Sequence, residues 1–228
     1  MTLRVLLAAI GLVVVAAAGL RAQQHGQAPG GATRHADHME HSFADVERYA
    51  KSFDDPKRDV WQMPDRVIAG LGLMAGNSVA DIGAGTGYFT VRLAKSAATP
   101  KVFASDIEPN MVRYLQHRAM TERLTNVMAV QARADSPNLP EAVDVVLIVD
   151  TFHHIPNRVA YFTALKTSLK PGGRVAIVDF KKGSPEGPPE EFKFTPDQIS
   201  AEMGKAGYAL QASHAFLPRQ MFLIYRAN

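Results

Sequence analysis

The stretch Ser78-Val-Ala-Asp81-Ile82-Gly83-Ala84-Gly85-Thr86-Gly87-Tyr88 decides the fold. Ser78–Ile82 reads as a short buried strand, and Tyr88–Ala98 reads as a helix. Between them, glycine at alternate positions lets the backbone turn sharply and approach a ligand with no Cβ in the way. Open α/β sheets bind ligands at this place, just beyond the carboxyl ends of their strands. The spacing G-A-G-T-G departs from a dinucleotide fingerprint, because Tyr88 stands where that fingerprint has its third glycine.

Outward from the loop, apolar runs alternate with helical stretches. Lys101–Asp106, Asn126–Gln131, Val143–Val149 and Arg174–Phe180 read as strands. Val143–Val149 is almost wholly apolar and β-branched, as a central parallel strand buried on both faces requires. Pro109–Thr121, with proline at a first-turn position, and Pro156–Lys170, ending at Pro171-Gly172-Gly173, read as helices. Strands alternating with helices imply a doubly wound α/β sheet. At the C-terminus a helix, Pro196–Ala206, precedes strands Tyr208–Phe216 and Gln220–Tyr225, which only Leu217-Pro218-Arg219 separates. A parallel crossover needs a dozen residues or more, so this pair must be antiparallel. The expected fold is therefore α/β and Rossmann-like, with seven strands, mostly parallel and closed by an antiparallel hairpin.

These motifs together resemble the class I S-adenosylmethionine (SAM)-dependent methyltransferases. Asp81-x-Gly83-x-Gly85-x-Gly87 is similar to motif I of that superfamily. Asp106 ends the second strand, Asp135 follows the third, and Asp150-Thr-Phe-His153-His154-Ile-Pro156 follows the fourth. Leu169-Lys-Pro-Gly-Gly173 precedes the fifth, and the terminal hairpin belongs to the same fold. The resemblance covers about Asp55–Tyr225 and is specific to the superfamily, not to a member within it.

The resemblance implies SAM as methyl donor and a set of cofactor-binding residues. Gly83, Ala84, Gly85, Thr86 and Gly87 would admit the methionine part against the backbone. Asp106, 23 residues after Gly83, would accept hydrogen bonds from the ribose hydroxyls. Asp81 would favour the cationic sulfonium and amino group, Ile107 would pack on the adenine face, and Asp135 would accept from the adenine amino group. Asp150, His153 and His154 fall where the acceptor pocket of the family opens. An imidazole can take a proton there, which matters only if the acceptor must lose one. Tyr49, Phe53, Trp61 and Tyr88 are available as an apolar lid for a small or lipid-like acceptor, although aromatics at helical spacing also serve as plain core.

The 228 residues fit one domain plus an appendage. With no Cys, zinc-thiolate sites, cysteine nucleophiles and cysteine-dependent methyltransferases are excluded. Two of the three net positive charges are Arg4 and Arg21, and no run of like charge occurs elsewhere, so no nucleic-acid partner is expected. The fourth-strand segment also lacks the Asn/Asp-Pro-Pro-aromatic pattern of base amino-group methylation, and Lys181–Thr195 is short for a macromolecule-binding insertion.

Met1–Ala22 has the order of a signal peptide: Arg4, then uncharged Val5–Leu20, then small residues. Sixteen helical residues span about 24 Å, short of the roughly 30 Å hydrocarbon core. Cleavage and export are expected, to the periplasm or the outside, with membrane contact only through an uncleaved leader. Residues 23–41 read as a flexible linker. His35, His38 and His41 within it read as a solvated polar stretch and not a metal site, since no carboxylate or Cys completes a ligand set. Residues 42–72 read as cap helices, including Phe43–Phe53 and Pro64–Leu71, and 73–228 as the core. Two other functions fit less well: an exported SAM or nucleoside-binding domain without catalysis, and an NAD-linked oxidoreductase, which Tyr88 and the terminal hairpin oppose.

Overall fold

The computed structural model describes residues 45–98 and 100–228. The proposed leader and the linker with His35, His38 and His41 lie outside the described residues. No helix of the described part is long and apolar enough to cross a membrane.

Seven strands form one sheet: β1 (Ser78–Ile82), β2 (Lys101–Asp106), β3 (Val127–Gln131), β4 (Val143–Val149), β5 (Leu169–Phe180), β6 (Tyr208–His214) and β7 (Gln220–Ala227). Their order is β3-β2-β1-β4-β5-β7-β6. The first five run parallel, and β7 pairs antiparallel with both β5 and β6. Chain order reverses between β1 and β4, so the crevice beyond their carboxyl ends is the topological switch point where such sheets hold ligands.

The sheet is buried on both faces, and the alternation of side chains shows it. Ala80, Val146, Ile148 and Ile177 join one apolar cluster with Phe152, Phe162 and Met203. Val79, Val145, Leu147 and Ala176 join the other with Val67, Leu93 and Phe222. Successive residues of one strand feed opposite cores, which is why Val143–Val149 carries hardly any polar side chain.

Around the sheet lie α1 (Val46–Phe53), α2 (Asp59–Gln62), α3 (Pro64–Gly70), α4 (Tyr88–Ala94), α5 (Pro109–Thr121), α6 (Arg158–Leu165) and α7 (Pro196–Lys205). Local chemistry sets their ends. Asp45 caps α1 by accepting from the Arg48 N–H, and Thr195 with Gln198 forms a reciprocal capping box on α7.

Three elements depart furthest from the sequence reading. The helix expected to reach Ala98 stops at Ala94, where the Ser96 hydroxyl takes the Leu93 carbonyl at 2.8 Å. The helix expected over Pro156–Lys170 starts only at Arg158, because Asn157 is left-handed at φ 46°, and it tightens into a 3₁₀ turn at Lys166–Ser168. The strand expected to begin at Arg174 begins at Leu169. A register shift between Val143 and Val145 accommodates the Pro171-Gly172-Gly173 segment.

Candidate functional site

Gly83, Gly85 and Gly87 all have positive φ, at 72°, 55° and 93°, which a side chain would strain. At Gly83 the lack of Cβ has a second reason. A Cβ there would overlap the Thr151 side chain, so the glycine loop lies directly against the segment that follows β4. At Gly85 the nearest atom to a Cβ would belong to the Phe53 ring, 3.3 Å away, so the cap reaches over the loop.

Asp106 secures the loop from the next strand. Its Oδ2 accepts from the Gly85 N–H at 2.8 Å and its Oδ1 from the Glu108 N–H at 2.9 Å. Burial raises its carboxyl above the usual range, and those two N–H groups pull it back. Each oxygen keeps a second lone pair for a hydroxyl. Beside it, Ile107 is 51% exposed, an uncovered apolar side chain at the ligand edge. Asp135 is exposed in the tight turn between Arg133 and Ser136.

Asp81 sits deeper, 3% exposed, with the Thr90 hydroxyl donating to its Oδ2 at 2.7 Å. Burial pushes its carboxyl up to about 6 against that hydrogen bond. Thr86 donates to Asp54 of the cap, and Arg118 of α5 bridges Asp54 and the Thr86 carbonyl. A cleft of about 610 Å³ beside this bridge is lined by α1 and α5, including Glu47, His117 and Arg118; none of its lining residues follows β1, β4 or β5.

The second half of the site gathers at the ends of β4, β5 and β7. Asp150, at φ 52°, receives hydrogen bonds from Gln62 (2.9 Å) and Gln220, and an ion pair from Arg58 (3.4 Å). Burial first, then the charge of Asp179, lifts its carboxyl to about 6, opposed by Arg58, Gln62 and His153. Both of its oxygens are thus taken, and Asp150 works as the point where cap and core are tied together.

The two histidines part company. His153 Nδ1 lies 3.0 and 3.1 Å from the two Asp179 oxygens, with side chains 7% and 4% exposed. His154 is exposed, its ring centroid 4.1 Å from that of His153.

The four aromatics considered as a lid divide likewise. Phe53 pairs with Tyr49 at 5.3 Å and covers the loop, and Trp61 packs on Phe180 at 5.7 Å. Tyr88 is 4% exposed, held between Arg58 and Arg92 with its hydroxyl on Asp59.

Asp54, Arg58, Gln62, Arg118, Asp179 and Gln220 were missed by motif reading. Asp179 alone had a sequence signal, being polar near the end of an apolar strand run. The others are brought in from 32 to 92 residues away.

A sheet of this order, with a glycine loop at the switch point and a carboxylate at the end of β2, defines a Rossmann-like fold built for a nucleoside ligand. Its antiparallel C-terminal hairpin sets it apart from dinucleotide-binding relatives. In keeping with that, residues 79–173 match the family model described as "Methyltransferase domain", and the chain is similar over its core to SAM-dependent methyltransferases.

A SAM-dependent methyltransferase structure from Aquifex aeolicus superposes with a TM-score of 0.74 at 26% identity, covering 81% of this chain and 99% of that one. The demethylmenaquinone methyltransferase of Tropheryma whipplei (strain Twist) is 32% identical over 48% of this chain and 44% of its own length. A ubiquinone/menaquinone biosynthesis C-methyltransferase of Marinomonas sp. is 29% identical over 52% of this chain and 49% of its own. The chain thus spans about half the length of the curated relatives it matches.

Proposed function

We propose that this protein transfers a methyl group from SAM to a small-molecule acceptor with quinol- or phenol-like chemistry. The observation that carries the reading is the contact of Gly83 with Thr151, which sets the cofactor loop against the segment bearing His153 and His154. Relatives named as quinone-pathway methyltransferases support the acceptor class. Trp61 and Phe180 add an aromatic pair at the end of β5.

In this reading Gly83, Ala84, Gly85, Thr86 and Gly87 cradle the methionine part. Asp106 takes the ribose hydroxyls, Ile107 covers the adenine, and Asp135 receives its amino group. Asp81 is a buried carboxylate awaiting a cation. The bound sulfonium supplies an activated methyl group, which ends on the acceptor while sulfur keeps the bonding pair. The task left to the chain is placement and exclusion of water, which Phe53 and the Asp150 tie serve by holding the cap down.

Calorimetry with SAM and its demethylated product, followed by mass spectrometry of candidate acceptors, tests the proposal. Binding of neither ligand sinks the cofactor half; binding with no methylated product sinks the catalytic half and favours a binding domain. We also propose, from Met1–Ala22, that the protein is exported. Full-length protein found only in the cytosolic fraction would refute that.

A further inference from the structure

Asp179 has no part in the cofactor cradle, yet it is buried at the end of β5 with three N–H groups directed at it. The Phe180 N–H lies 2.7 Å from Oδ1, the His153 N–H 3.3 Å from Oδ2, and the His153 ring Nδ1 within 3.1 Å of both. A carboxylate only accepts, so the ring nitrogen facing it must carry the hydrogen. A neutral imidazole has one N–H, and its lone pair is then on Nε2. Among the described residues, Nε2 of His153 has no hydrogen-bond partner.

We propose that Nε2 of His153 is the proton acceptor of the reaction, that Asp179 is its positioning residue, and that the acceptor therefore carries an acidic O–H or an equivalently activated C–H. This rests on the methyltransferase reading above. As methyl transfer proceeds, the acceptor oxygen or carbon gains the methyl group and gives up its proton to Nε2, which passes it to water. Asp179, as hydrogen-bond acceptor to Nδ1, fixes the tautomer and the ring plane. The charged and titratable groups around His153 are Asp179 on β5, Asp150 after β4, neighbouring His154, and Arg58 from the cap.

Their surroundings separate His153 from His154. His154 is exposed, and the N–H groups directed at Asp179 are those of His153 and Phe180. Asp150 differs from His153 in that its two oxygens are already engaged by Gln62, Gln220 and Arg58.

The test is nitrogen-15 NMR of the imidazoles in the full-length protein at pH 8, with and without the demethylated SAM product. Turnover is measured alongside, with 1,4-naphthohydroquinone and catechol as probes. His153 should show the Nδ1–H tautomer. Asp179→Asn offers an N–H of its own, and should turn His153 to the Nε2–H form while leaving the geometry intact. Turnover should fall by at least about 100-fold, the lower range for loss of general-base catalysis, with the KM for SAM within about threefold of wild type. Asp179→Glu should restore the tautomer and part of the rate.

An Nε2–H tautomer in the wild-type protein overturns the proposal, and that spectrum decides even if the Asn variant does not fold. An unchanged rate in Asp179→Asn also overturns it, as does a loss of SAM affinity equal to the loss of rate. Methylation of neither probe by protein that binds SAM overturns the acceptor class. Failure of the wild type to bind SAM at all is a different result and strikes the methyltransferase reading, since the tautomer is read without a cofactor.

Discussion

The two halves of the proposed site, one for the cofactor and one for the acceptor, are built in opposite ways. On the cofactor side, the essential geometry is backbone: three left-handed glycines and an N–H held by Asp106. On the acceptor side it is side chains from distant parts of the chain, with Arg58 and Gln62 reaching Asp150 across 92 and 88 residues and His153 reaching Asp179 across 26. A backbone cradle tolerates almost no substitution and fits a constant ligand. A side-chain cluster can change residue by residue, which suits a fold whose members share a donor and differ in acceptor.

The strongest way to break this comparison is Gly85→Val. The position has φ 55° and the Phe53 ring 3.3 Å from where a Cβ would be, so a branched side chain meets strain and collision together. SAM affinity should fall by at least about 100-fold, or roughly 2.7 kcal/mol, by calorimetry, with most of the fold kept. Unchanged affinity would remove the glycine loop from the cofactor site.

Next in size is the pH dependence of stability caused by Asp81. Its folded value of about 6 lies above the ordinary 3.8. The folded state therefore holds a proton that the unfolded chain has released, and stability contributed below pH 4 is lost as pH rises towards 6. Two units correspond to about 3 kcal/mol as an upper bound. Asp81→Asn removes this slope, so its stability relative to wild type should increase between pH 4 and pH 8 in chemical denaturation. An equal slope in both proteins would show that the carboxylate is already ionised in the fold. SAM should bind more tightly to wild type as the pH passes 6, because a cation favours the charged carboxylate.

Asp106→Ala removes the proposed acceptor for the ribose hydroxyls and also leaves the Gly85 N–H without its partner. Charge-assisted hydrogen bonds contribute about 1.5–3 kcal/mol, so SAM affinity should drop at least tenfold. The smallest expected effect sharpens the contrast from the other side: His154→Ala should alter SAM affinity by less than about twofold, since His154 is exposed on the acceptor segment. Equal losses in the two variants would mean that the cofactor and acceptor halves are not separate.

The cofactor half was legible because its information is local. Asp81, the three glycines and Asp106 lie within 26 residues, and strand-loop-helix spacing places them almost without reference to the rest of the chain. The terminal hairpin was legible for the same reason: three residues between strands permit only an antiparallel pairing. The misplaced boundaries at Ala94, Arg158 and Leu169 are where local signals compete, with proline and glycine read as stops although β5 pairs through them.

The acceptor half was only half visible. Asp150, His153 and His154 stood out as polar residues after a buried strand, yet nothing in their spacing distinguished one histidine from the other. That distinction comes from strand order, since β5 lies beside β4 and brings Asp179 to His153. The role of Asp150 likewise depends on where the cap folds back, because Arg58 and Gln62 are meaningful only once they touch it. Periodicity, glycine spacing and loop length act over a few residues, so the sequence by itself determined the sheet, the hairpin and the cofactor loop. Which carboxylate holds which imidazole depends on pairing across the chain, and only the tertiary structure decided it.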